Sequence, residues 1–270
     1  RVVVAAGEEW DAFVRFCVTA GLAGVECLSG IPGLVGAAPM QNIGAYGQEV
    51  AETIVQVKAI DRASLQDVRF SNKECKFSYR RSRFNTEDMN AFVITEVSFR
   101  LRPEGKPTLN YPELQQQVAS SVDLSALQPG LEQLAAVREA VLALRRKKSM
   151  VIDPSDPNTR SVGSFFKNPI LSRSALEDLK NRCRALGVSD QIPTFPFQND
   201  VKVPAAWLVE KAGFTKGYRK KGVGVSARHA LALVNFDGTT RELLLLAEEI
   251  ENAVLSRFGI RLEREPVIVP

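Results

Sequence analysis

Six of the chain's 18 glycines fall at positions 24, 30, 33, 36, 44 and 47. About a tenth of the sequence must therefore carry backbone that turns tightly or is closely approached. Glycine reaches positive φ without steric cost and lets main-chain amides come up against a ligand. The window SGIPGLVGAAPMQNIGAYGQEV can wrap a flat cofactor with main-chain donors, or it can be a set of surface turns. Glycine content does not separate the two, because no G-x-G-x-x-G or Walker sequence occurs in the chain.

The sequence around that window reads as α+β. Val2 to Ala6 reads as a strand, and Trp10, Phe13, Val14 and Cys17 recur at i, i+3, i+4 and i+7 before Gly21, the pattern of a short amphipathic helix with a glycine stop. Thr53 to Ile60 alternates, with Val55, Val57 and Ala59 on one face, and Phe92 to Leu101 alternates again. Leu134, Val137, Val141 and Leu144 mark a helix whose last turn carries Arg145, Arg146, Lys147 and Lys148, where cations complement the helix dipole. Ser172 to Leu186 and Pro204 to Ala212 read as further helices, the second ended by Gly213. Thr239 with Glu242 reads as a capping box that opens a helix stopped by Gly259, and Ile260 to Val269 reads as a strand. The expected division is a first domain over 1–148, to which 259–270 returns, and a second over 149–258.

Lys plus Arg at 35 against Asp plus Glu at 31 leaves a net charge of +4, spread along the chain and too weak to imply a nucleic-acid partner. No apolar run approaches the ~18 residues of a membrane span. Cys17, Cys27, Cys75 and Cys183 show no C-x-x-C spacing, which indicates neither a metal site nor a disulfide framework and fits a reducing cytoplasm. The single histidine, His229 in ARHALALVN, limits imidazole chemistry to one group, read here as structural or orienting. Arg1 runs directly into apolar sequence without the order of a signal peptide, so the start reads as mid-domain sequence.

Four phrases occur in order: SGIPGLVGAAPMQNIGAYGQEV, SYRRSRF, SVGSFFKNP and VKVPAAWLVEKAGF. Together they resemble the UDP-N-acetylenolpyruvoylglucosamine reductases, also called UDP-N-acetylmuramate dehydrogenases, and the resemblance spans nearly the whole chain. It implies an FAD-binding domain of the vanillyl-alcohol-oxidase type and a smaller α+β substrate-binding domain. It also implies a two-step reaction in which NADPH reduces FAD and hydride then passes to the enolpyruvyl ether of a UDP-sugar. The expected partner is that small molecule alone, acting on a cytoplasmic monomer with neither nucleic acid nor membrane. Hydride delivered to the terminal carbon leaves negative charge beside the carboxylate, so such a site needs cations or donors for the enolate and an acid for the other carbon.

The resemblance assigns roles residue by residue. Ser164 matches the proton donor, though alone it reads as a turn serine. Arg80 in SYRRSRF matches the arginine that holds the carboxylate, a task suited to a planar fork of donors; alone it reads as a solvated cation. Glu265 in RLEREPV matches the carboxylate that supports the enol or the proton transfer, with Glu263 as its competitor. The cofactor contacts expected are Ser29, Gly30, Ile31, Pro32, Gly33, Gly36, Ala37, Ala38, Gln41, Asn42, Gly44, Ala45 and Ile94. Tyr111 in TLNYPEL, Lys148, Asn168 and His229 match substrate contacts; Tyr111 otherwise reads as a loop aromatic and Lys148 as a helix-end cation.

The chain departs from the family pattern at four places. Arg81 stands where an acidic residue is common, and His229 where a glutamine is common. Pro266 and Pro270 interrupt the tail. No GxGSN-like pyrophosphate loop precedes the first strand, from which a truncated sequence and weakened FAD binding are expected. The alternatives are another flavin oxidoreductase of the same superfamily, or a remnant that binds a nucleotide sugar without reducing it.

Overall fold

Alternating side chains build a four-stranded antiparallel sheet in the first half of the chain. β1 (Val2–Ala5), β2 (Ile54–Asp61), β3 (Asp67–Ser71) and β4 (Phe92–Phe99) lie in the order β1-β4-β2-β3. The computed structural model describes residues 1–189 and 191–269, and the chain divides into two compact units, Arg1–Lys147 and a second from Lys148 onward. In the first, Val57 sits opposite Val97 on one side and Phe70 on the other, and all three are buried. The register of β2 against β4 shifts between Ile54 and Gln56. That bulge turns Ile54 to the core and leaves Val55 half-buried, so the buried face is Ile54, Val57 and Ala59 rather than the even alternation expected.

α1 (Trp10–Thr19) places Trp10, Phe13, Val14 and Cys17 in the same core, and Gly21 follows at φ +67°. Trp10 also donates its indole N–H to the Leu28 carbonyl at 3.0 Å, so a large apolar side chain is buried with its polar atom satisfied. α2 (Pro112–Ser121) and α3 (Leu131–Lys147) form a satellite core around Leu114, Val118, Val137, Val141 and Leu144. Arg145 lies in the last turn of α3, where a cation complements the helix dipole. It is buried on α3 with a relative exposure of 7%, because its position in the helical period places it one residue from Leu144 and four from Val141.

The second unit repeats the layering with a different sheet. β5 (Ser161–Ser164), β6 (Arg219–Lys220), β7 (Val223–Val225) and β8 (Ala232–Asn235) pair antiparallel in the order β6-β7-β8-β5. α4 (Arg173–Ala185), α5 (Ala205–Lys211) and α6 (Thr240–Phe258) share its core through Leu179, Leu208, Leu246, Ile250, Val254 and Phe258. Antiparallel sheets with segregated helices make both units α+β.

The tail differs from expectation twice. Residues 260–269 form no strand beyond one isolated bridge, Phe166 to Arg264, since Pro266 removes a donor where a ladder would continue. It also does not return to the first unit: Lys167 N–H bonds Glu263 O at 2.9 Å, Glu265 N–H bonds Phe165 O at 2.9 Å, and Ile260 and Leu262 bury in the second core. Pro270 lies outside the described residues. All four cysteines are free and buried, and among the described residues no helix is long and apolar enough to cross a membrane.

α6 begins and ends as its sequence dictates. The Thr239 side chain accepts from the Glu242 N–H, the Glu242 side chain accepts from the Thr239 N–H, and Gly259 closes the helix at φ +69°. Thr239→Ala is expected to cost about 1 kcal/mol, measured as a lower urea midpoint at unchanged slope.

Candidate active site

In the second unit the chemistry gathers around one backbone residue. Ser164 ends β5, and the next residue, Phe165, donates its N–H to Leu231 O at 2.8 Å and accepts from Glu265 N–H at 2.9 Å. The first bond fixes the loop that carries His229; the second fixes the segment that carries Glu265. Phe165 and Phe166 are each 2% exposed, so burial of two aromatic rings holds this junction rigid. Ser164 and Glu265 are half-buried, and Ser164 Oγ lies 3.1 Å from His229 Nε2.

The His229 loop is tied down on its other side by a polar relay. Ser149 Oγ donates to Asp156 at 2.6 Å, Asp156 accepts from both the backbone and side-chain N–H groups of Asn158 at 2.9 Å, and Asn158 Oδ1 accepts from Ala227 N–H at 3.0 Å. The Ser149 hydroxyl first, then the Asn158 amide, hold the Asp156 carboxyl below its ordinary range, and Arg228 adds to this. Arg228 in turn donates its N–H to Ser226 Oγ at 3.1 Å. Asn168, expected against the substrate, accepts from Ala205 N–H at 2.9 Å, which caps the first turn of α5. Lys148 opens this unit, half-buried, directly before Ser149, whose φ is +53°.

In the first unit the glycine window folds into two parts with different duties. At Gly36 and Ala38 it is internal structure: Gly36 N–H bonds Ala6 O, a Cβ on Gly36 would lie 2.6 Å from Ala6 Cβ, and Ala38 is buried. Asn42 is also internal. Its amide donates to Glu49 at 2.8 Å and to Ser78 O at 3.0 Å, and accepts from Ala51 N–H at 3.0 Å. Ser29 is buried with its hydroxyl on Glu26 O at 2.6 Å. Between these lies an open turn. Gly30 at φ +72° and Gly33 at φ +115° flank Ile31 and the exposed Pro32, and a Cβ on Gly33 would meet nothing within 4 Å. Left-handed glycines with uncovered backbone suit close approach by a flat ligand, so this turn fits a cofactor; Gln41, Gly44 and Ala45, expected as further contacts, are half-buried. Ala37 is exposed and Ile94 half-buried on β4.

Sequence reasoning missed what holds that turn. Gly30 N–H bonds Asp11 at 2.6 Å, and Asp11 also takes both guanidinium nitrogens of Arg138 at 2.7 Å. Burial pushes the Asp11 carboxyl up, but the Arg138 and Gly30 bonds outweigh it and hold it below the usual range. Residue spacing gave no signal, because the pair is 127 positions apart.

Arg80 sits on a hairpin corner. Ser78 and Arg81 exchange backbone bonds at 3.0 and 3.1 Å, leaving Tyr79 and Arg80 as the two central residues, with Arg80 at φ +55°. Its guanidinium donates to Gly44 O at 2.7 Å and lies 5.2 Å from the Tyr79 ring centroid. Gly44 belongs to a second hairpin, Gly44–Ala45 against Gln48–Glu49, whose central Tyr46 and Gly47 both have positive φ, as a type I′ turn requires. Tyr46 was not singled out from sequence. Its ring meets Tyr111 edge-on at 5.6 Å, and burial pushes its hydroxyl up to about 12 against the pull of Arg145. Tyr111 is 38% exposed, and burial raises its hydroxyl as well. Arg81 is exposed.

Residues 154–269 match the family model for the C-terminal domain of UDP-N-acetylenolpyruvoylglucosamine reductase, and residues 1–64 match an FAD binding domain. A protein of Thermobifida fusca carrying that reductase name is 48% identical over 272 residues, covering 100% of this chain and 74% of its own length. The chain belongs to this family of reductases. A Streptomyces coelicolor reductase of the same name is 46% identical, over 98% of this chain and 69% of its own length. The crystal structure of the reductase from Thermus caldophilus aligns with a TM-score of 0.63 over 100% of this chain and 73% of that one, at 21% identity, which confirms the fold. As a member, this reductase is an oxidoreductase with FAD as its cofactor.

A left-handed residue other than glycine costs roughly 1 kcal/mol or more and is retained where function holds it. Arg80→Gly is therefore expected to unfold at higher urea than Arg80→Ala, by about 1 kcal/mol, since both lose the same side chain and only alanine keeps the strain. An alanine variant as stable as the glycine one would show that position 80 carries no backbone strain.

Proposed function

We propose that this reductase converts the enolpyruvyl ether of a UDP-N-acetylglucosamine to UDP-N-acetylmuramate, with NADPH as the electron source, in peptidoglycan precursor synthesis. The observation that carries the reading is the convergence of Ser164, the His229 loop and the Glu265 segment on the two backbone bonds of Phe165. When bound, the flavin supplies hydride to the terminal carbon of the enol ether. Family names on the relatives support the substrate, and the roles below follow from side-chain chemistry.

Arg80 holds the substrate carboxylate. A guanidinium already anchored to Gly44 O keeps further donors in a fixed plane, and a fork can take both carboxylate oxygens. As charge grows beside that carboxylate, the same cation stabilises it at no cost in reorganisation. Ser164 gives its Oγ proton to the carbon that carries the charge, and Glu265 polarises the donor or the enol from the adjoining segment. Tyr111, beside Tyr46, offers an aromatic surface for the nucleotide, while Lys148 supplies a phosphate contact. The edge of Asn168 not used on Ala205 serves the sugar. The same reading makes the enzyme a cytoplasmic monomer that meets its substrate by diffusion.

Stopped-flow separation of the two half-reactions tests the reading. Ser164→Ala is expected to leave flavin reduction by NADPH unchanged and to slow flavin reoxidation by substrate by ~10² to 10⁴-fold, the usual worth of a positioned acid. Arg80→Lys should slow the same step, because a point charge does not replace a fork. Reoxidation within about threefold of the parent in Ser164→Ala, at normal flavin content, removes the serine as donor.

A further inference from the structure

The unassigned contact at this site is the one between Ser164 Oγ and His229 Nε2 at 3.1 Å. A serine hydroxyl has one proton and two lone pairs. If that proton is to reach a substrate carbon, it points at the carbon during transfer, and the ring nitrogen 3.1 Å away then faces a lone pair. An acceptor there would draw the proton toward the ring and make Ser164 a nucleophile, the opposite of the role proposed above. We propose that His229 is the positioning residue of the proton donor: its Nε2–H donates to Ser164 Oγ, turns the hydroxyl toward substrate and stabilises the oxygen as it loses its proton.

The inference rests on Ser164 being the donor, and the step balances. The Ser164 O–H bond breaks as the carbon–hydrogen bond forms, the electron pair of the O–H bond remains on Oγ, and the His229 N–H proton stays on nitrogen while bridging to it. Water re-protonates Oγ after product leaves. No change in the charge of the imidazole is required.

The fold supports a fixed ring in three ways. The His229 carbonyl accepts from Ala232 N–H at 3.1 Å, at the start of β8. Ala232 itself pairs with Ser164 across the sheet, so the serine and the residue that holds the His229 carbonyl face each other at one end of the ladder. The preceding residues of the loop are held through Ala227 and Ser226 to Asn158, with Ser226 fully buried. A loop bonded at both ends aims a side chain better than a free one, and aim is what a weak acid such as serine needs.

The test is a double-mutant cycle read on flavin reoxidation by substrate, with flavin reduction by NADPH as the control in every variant. His229→Ala is expected to slow reoxidation about 10- to 100-fold, the worth of a hydrogen bond to a developing charge. It should lower kcat with little change in KM, because the bond strengthens as the proton leaves. His229→Gln, whose side-chain amide is also a donor, should recover most of the rate, and His229→Glu, an acceptor only, should not. Adding His229→Ala to Ser164→Ala should slow reoxidation no further, since the ring acts through the hydroxyl.

Several results overturn the inference while leaving the functional reading intact: a normal rate in His229→Ala where Ser164→Ala is slow, full additivity of the two changes, or a glutamate variant as fast as the glutamine one. A normal rate in Ser164→Ala removes the functional reading itself. Should His229→Ala lose flavin or fold poorly, the Gln and Glu variants still decide between donor and acceptor.

Discussion

Everything chemical in the second unit depends on the backbone of Phe165. One peptide N–H and one peptide carbonyl reach in opposite directions, to Leu231 and to Glu265, and so join three stretches of chain that are distant from one another in sequence. A side-chain clamp would be soft, because rotamers exchange readily at a surface. A peptide group flanked by two buried phenylalanines is not: displacing it would break backbone bonds and expose two aromatic rings, each worth ~2 kcal/mol or more in burial alone. Rigidity is thus obtained from the apolar core, while the Ser164 hydroxyl one residue earlier stays half-exposed. That division, with a buried aromatic beside an accessible polar group, explains why Phe-Phe follows the serine in the sequence.

The first unit solves a similar problem with side chains. Asn42 makes three bonds at once, to Glu49, Ser78 and Ala51, and thereby fixes the Arg80 hairpin beside the glycine-rich segment. Asp11 does the same for the Gly30 turn by taking Arg138 as well as the peptide. A carboxylate bonded in this manner is favoured in its charged form even when half-buried. Both arrangements leave main-chain groups of the turns oriented before any ligand arrives, which lowers the ordering cost of binding.

Much of this was legible in the sequence where a feature is local. The capping box at Thr239, the glycine stops at Gly21 and Gly259, and the helical period from Trp10 to Cys17 follow from neighbours three or four residues apart. The motif words located Ser164, Arg80 and Glu265 on the chain, and the structure then places Ser164 and Glu265 on neighbouring backbone within one unit. What was not legible is what depends on distant residues. The bulge that exchanges Val55 for Ile54 answers to β4. Burial of Arg145 answers to the packing of α3, and the place of the tail answers to a carbonyl of Phe165 that no pattern within 260–269 announces. Most of the glycine window illustrates the same limit: Gly36 is required by Ala6, not by a ligand, and composition cannot tell the two demands apart.

Arg80 shows how local and distant constraints combine. Left-handed backbone at a hairpin corner favours glycine, and glycine there would fold with less strain. The arginine is tolerated because its side chain has somewhere to go: Gly44 has no Cβ, and one placed there would lie 3.1 Å from the guanidinium. The glycine at 44 therefore admits the arginine at 80, and the carbonyl of that same glycine orients it. A strained corner aimed by a vacant Cβ is a costly way to place a surface cation, and it suits the role proposed for Arg80, which asks for a single orientation. The glycines of this chain thus answer to different demands: Gly33 leaves open space where a Cβ would stand, and Gly44 makes room for the arginine side chain.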